Sequence, residues 1–131
     1  MISVLLDHNI RGFLILLQGT VDAKRSSNPE LIKFIQLEDV GLSMDSPDDE
    51  IWRLVQRHQI LLLTNNRNSK GVDSLQQTIE REGTFESLPI LTFGNIDRLS
   101  EKTYRERCIA RIFEIATNIS NYRGCGRLFI P

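Results

Sequence analysis

Four short apolar runs limit how this chain can fold: ISVLL at 2–6, ILLL at 60–63, LPILTF at 88–93 and RLFI at 127–130. Each has the length of a buried strand and is too short for a buried helix. The segments between them carry helical spacing instead. Ile10, Phe13, Leu14 and Leu17 recur at three and four residues, with Asn9 as a candidate cap. SPDDEIWRLVQRH at 46–58 is the clearest helix start. Ser46 suits the cap, Pro47 the first helical position, and acids fill the first turn. Asp73 is placed to cap DSLQQTIEREG, which Gly83 stops. A long amphipathic helix is expected over 100–118, with Cys108, Ile109, Ile112, Phe113 and Ala116 on or near one side. Residues 30–38 fit both periods, and the reading adopted there is a helical turn leading into a strand near 34–37. Strands that alternate with helices predict an open, mostly parallel α/β sheet covered on both faces.

At 131 residues the chain is expected to form one domain, 1–131. The formal net charge of -1 advertises neither nucleic acid nor an anionic membrane. Charge is uneven, however: from Asn95 onward seven Arg or Lys stand against four Asp or Glu. That bias suits a phosphate-bearing partner and equally suits a solvated helix face. Cys108 and Cys125 make neither a disulfide framework nor a zinc set. The start MISVLLDHN lacks a basic region, and no apolar run reaches membrane-spanning length. A reduced cytoplasmic protein without a membrane segment is the expectation.

In sheets of this kind, sites form beyond the carboxyl ends of the strands, above all where strand order reverses. Asp7 and Asn9 follow the first strand; Thr64, Asn65, Asn66 and Asn68 follow the third; Asn95 and Asp97 follow the fourth. Asp48, Asp49 and Asp73 lie at helix starts that face the same end. Carboxylates gathered around a cleft suit Mg²⁺ or Mn²⁺, hard ions that prefer oxygen ligands and retain waters. Each acid also has a plain structural role, as a strand end, a helix cap or a turn. Arg98 and Lys102 offer a basic rim beside the cleft. There is no GxGxxG after the first strand, where HNIRG stands, and neither His8 nor His58 belongs to a nucleophile-base pattern.

LLDHNI at 5–10, GLSMDSPDDEIWRLVQ at 41–56, LLLTNNRN at 61–68, LPILTFGN at 88–95 and NYRGCGRLFIP at 121–131 together carry a resemblance. In their order and spacing the chain resembles the PIN-like domains, particularly the small PIN-like proteins common in cyanobacteria and other bacteria. The resemblance covers nearly the full length. It implies a three-layer α/β/α sandwich with a central, mostly parallel sheet and, in active members, a metal-dependent ribonuclease, often the toxin of a toxin–antitoxin pair. Asp7 then takes the first catalytic position and Asp48, or its neighbour Asp49, the second. The family's third strand is followed by T-x-D-x-D, where this chain has Thr64, Asn66 and Asn68. Both expected aspartates are amides, which leaves Asp73 or Asp97 to complete an ion's shell. Two functions follow. One is an Mg²⁺- or Mn²⁺-dependent endoribonuclease, with Asn66 and Thr64 orienting water or phosphate. The other is a catalytically degenerate module that binds RNA or an antitoxin-like protein. The resemblance also implies a homodimer.

Overall fold

The computed structural model describes residues 2–24, 32–66, 71 and 74–131. Five strands, β1 (Ile2–Leu6), β2 (Ile32–Ile35), β3 (Leu61–Thr64), β4 (Ile90–Phe93) and β5 (Arg127–Ile130), form one sheet. Its order is β2-β1-β3-β4-β5, and all four pairings are parallel. Four α-helices, α1 (Leu14–Asp22), α2 (Asp48–His58), α3 (Leu75–Glu82) and α4 (Lys102–Thr117), pack on its two faces as an α/β/α sandwich. No described helix is long and apolar enough to cross a membrane.

The period of two along each strand sorts its side chains between two cores. Val4, Leu6, Leu61, Leu63, Leu91 and Phe93 face α1 and α4, where Leu17, Cys108, Ile112 and Ile115 meet them. Leu5, Leu62 and Ile90 face α2 and α3, against Ile51, Trp52, Val55 and Leu75. Strands covered on both sides carry no polar alternation, hence the continuous apolar runs.

The steps from β2 to β3 and from β4 to β5 run the same way across the sheet, yet α2 and α4 lie on opposite faces. The two crossovers therefore have opposite hands, against the strong preference for one hand in parallel connections. With α4 on the α1 side, it covers Leu128 and Ile130, while Arg127 and Phe129 project from the face that α2 and α3 cover. That cover thins at the edge, and Phe129 is 55% exposed.

Local differences from the sequence reading have local causes. The first helical stretch begins as a 3-10 turn, His8–Phe13, capped by Asp7 and not by Asn9. The second strand precedes its helical turn: β2 ends at Ile35, and a short turn, Leu37–Val40, follows. Asp39 closes that turn by accepting the Gln36 N–H at 2.8 Å, and Gly41 ends it with φ +82°. Pro47 occupies the cap of α2, where its carbonyl accepts the Ile51 N–H at 3.1 Å, while the Ser46 hydroxyl accepts the Ser43 N–H at 3.0 Å. Ser74 caps α3 through the Gln77 N–H at 3.2 Å; the role assigned to Asp73 lies outside the described residues, as does that of Asn68. A 3-10 turn, Ile96–Ser100, delays the start of α4 to Lys102.

Candidate functional site

Chain direction across the sheet reverses between β1 and β3, where a crevice opens beyond the strand ends. Asp7 is the first residue past β1, and its N–H still pairs with the Leu63 carbonyl at 3.0 Å, which fixes its backbone to the sheet. The residue is 8% exposed. Oδ1 accepts the His8 N–H at 2.8 Å and Oδ2 accepts the Thr64 hydroxyl at 2.7 Å. Thr64 ends β3 fully buried, and its Oγ1 also accepts the Asn66 N–H at 2.9 Å. A threonine closing an otherwise leucine strand is thus explained: it holds the acid of the neighbouring strand and starts the turn beyond its own.

Asp48 reaches the same crevice from the first turn of α2. Its Oδ2 accepts the Asn66 side-chain amide at 2.9 Å and the Leu75 N–H, at the start of α3, at 3.3 Å. No described residue donates to Oδ1. Burial raises the Asp48 carboxyl above its ordinary pKa, and the charges of Asp7 and Asp49 push the same way, while the bonds from Asn66 and Leu75 pull it partly back. Asp7 and Asp48 line one pocket of about 190 Å³ with His8, Asn9, Ser46 and Asn66, closed on its apolar side by Leu37, Met44 and Ile51. Among the described residues neither carboxylate has an Arg or Lys within ion-pair reach.

Other expected members lie elsewhere. Asp49 turns along α2 to pair with Arg53 at 3.1 Å, one helical turn on, so Asp48 is the acid that enters the pocket. Asn95 and Asp97 do follow β4, but they are exposed and close a turn on each other, with the Asn95 side chain accepting the Asp97 N–H at 3.2 Å. Arg98 stacks on Tyr104 and pairs with Glu101 at 3.4 Å. Lys102 lines a separate groove with Ile15, Leu16 and Arg105. Asn65 is half-buried beside the crevice and not part of the pocket lining. Among the described residues no group of three or more His, Cys, Asp or Glu side chains is placed to hold a metal ion.

A larger cleft of about 420 Å³ lies between Trp52, Ile79, Phe85, Leu88 and Gly126, and no ionisable side chain lines it. Of the two, the smaller pocket is the one that carries carboxylates. Sequence reasoning passed over His8 and Ser46 as pocket walls, and over Arg127. The one signal for Arg127 was a cation opening an otherwise apolar strand. No protein-family model matches this chain, and no characterised protein or solved structure shows significant similarity to it.

Proposed function

We propose that this chain is a PIN-like endoribonuclease that uses Mg²⁺ or Mn²⁺ to hydrolyse RNA phosphodiester bonds. One observation carries the reading: Asp7 and Asp48, far apart in sequence, line a single pocket at the reversal of the sheet with no cationic partner among the described residues. Two carboxylates are a poor zinc set. They do suit magnesium, which takes one or two carboxylates, keeps several waters and completes its shell with substrate phosphate. Asp48 Oδ1, free of described donors, and the carboxylate of Asp7 are the atoms that would hold the ion. When bound, such an ion lowers the pKa of a coordinated water and offsets charge developing on the phosphate. The protein's own part is positional. Thr64 and the His8 N–H lock the Asp7 carboxylate, Asn66 locks that of Asp48, and Asn9 and Ser46 at the mouth supply hydrogen-bonding groups for phosphate oxygens.

A second reading keeps the PIN-like fold and removes the chemistry, leaving a module that binds RNA or an antitoxin-like protein. It is favoured by Asn66, an amide where the resemblance expects an aspartate, which already occupies one oxygen of Asp48. Cleavage of a mixed RNA pool with Mn²⁺ or Mg²⁺ decides between them. On the nuclease reading wild type cuts, and chelation or Asp7→Asn removes the activity. RNA retained on a filter without cleavage, in either ion, supports the binding module.

A further inference from the structure

We propose that Arg127 is a positioning residue that sets the spacing of Asp7 and Asp48, and that it makes the pocket discriminate a small divalent cation from a large one. The inference rests on the metal-dependent reading above. Arg127 opens the edge strand β5 on the face away from α4, so its side chain lies across β4 toward the end of β3. Nη1 donates to the Thr92 hydroxyl at 2.7 Å and to the Asn66 carbonyl at 2.8 Å, and Nε donates to the Gln76 side chain of α3 at 3.1 Å. Thr92 stands beside Thr64 in the β3–β4 register. One rigid, planar guanidinium thus joins β4, α3 and the turn after β3.

Asn66 is where this clamp meets the acids. Its carbonyl is held by Arg127, its N–H reaches Thr64 and through it Asp7, and its side-chain amide holds Asp48. Fixing Asn66 at three points fixes the distance between two carboxylates that come from different elements and repel each other. Magnesium demands near-ideal octahedral geometry with short bonds, whereas calcium accepts longer and less regular ones. A clamped pair favours the first; a loosened pair loses that preference.

The experiment follows Mn²⁺ binding by its EPR signal, with Mg²⁺ and Ca²⁺ as competitors, in wild type, Arg127→Gln and Arg127→Lys. The side-chain amide of Asn66 is monitored by NMR in metal-free protein. In Arg127→Gln the Mg²⁺ competition constant is expected to weaken about 10–100-fold, as for losses of groups that orient metal ligands. Calcium is expected to change less than about threefold. Arg127→Lys falls between, and the Asn66 amide signals move before any metal is added. Thr92→Val removes one anchor of the guanidinium and gives the same selective loss, should Arg127→Gln fail to fold. If wild type binds Mn²⁺ and both competitors weaken equally, or neither does, the positioning role is overturned and the metal reading stands. If wild type takes up neither Mn²⁺ nor Mg²⁺, the metal reading fails and this inference falls with it.

Discussion

The Asn66 side-chain amide donates to the Asp48 carboxylate at 2.9 Å, and this hydrogen bond ties the turn after β3 to the first turn of α2. Asn66 therefore does what no aspartate could do there without an ion: it brings a donor, not a second charge, to a partly buried carboxylate. A bond to a charged group contributes about 1.5–3 kcal/mol when its partner is retained.

Asn66→Asp reverses that relationship. In divalent-free buffer the variant is expected to be less stable than wild type by about 1–3 kcal/mol, since a donor is replaced by a like charge. Added Mg²⁺ should then raise its melting temperature more than it raises that of wild type, because an ion that binds only the folded state stabilises it. Thermal melts with and without Mg²⁺ check both halves. An equal metal response in the two proteins would count against an ion at this pair.

Asp48→Asn is expected to melt above wild type at neutral pH without divalent ions. The folded Asp48 carboxyl keeps its proton to higher pH than the unfolded one. The folded state is therefore favoured at low pH and loses stability as pH rises from the ordinary carboxylate range through the raised value. The amide removes that penalty, and its oxygen still accepts from Asn66 and Leu75. A favourable helix-dipole interaction of about 0.3–1 kcal/mol is lost in exchange and reduces the gain. The advantage should shrink below about pH 4, where the wild-type carboxyl is also neutral. A difference constant across the whole range would contradict the account.

The two thiols should separate cleanly under a thiol reagent. Cys125 is exposed, whereas Cys108 is fully buried against α1 and β5, and burial pushes its pKa up to about 11. Because the thiolate is the reactive form, native protein near pH 8 is expected to titrate one thiol promptly and the second only on unfolding. Two equally fast thiols would mean that α4 does not seat on the sheet as described.

Gly124→Ala and Phe85→Ala form an informative pair around one contact. Gly124 has φ +83°, and a Cβ there would stand 3.2 Å from the Phe85 backbone. The alanine is expected to cost about 1–3 kcal/mol. Phe85 is 93% exposed, so truncating its side chain should change stability by no more than about 0.5 kcal/mol. Denaturant midpoints measure both, and a large loss in Phe85→Ala would show that its ring is covered in solution.

What the chain's own order determined was the alternation of strand and helix, the burial of both sheet faces and the position of Asp7 and Thr64 just where strands end. These follow from periodicity and from local chemistry: an apolar run of four or five residues has few uses other than a buried strand. The Gly83 stop of α3 and the last strand, Arg127–Ile130, are local in the same sense.

Tertiary structure decided everything that depends on which way a side chain leaves its element. Asp48 and Asp49 are adjacent and equally suited to a helix start, yet one helical step of 100° sends the first into the crevice and the second to Arg53. Asn95 and Asp97 sit at the right end of the sheet and still turn on each other, because a short local bond closes before any distant partner is reached. Arg127 could not be connected with Asn66 at all from their separation in sequence. Only the crossover of α4 to the far face, together with the parallel register of β3, β4 and β5, lays that guanidinium over the sheet and against the turn that holds both acids.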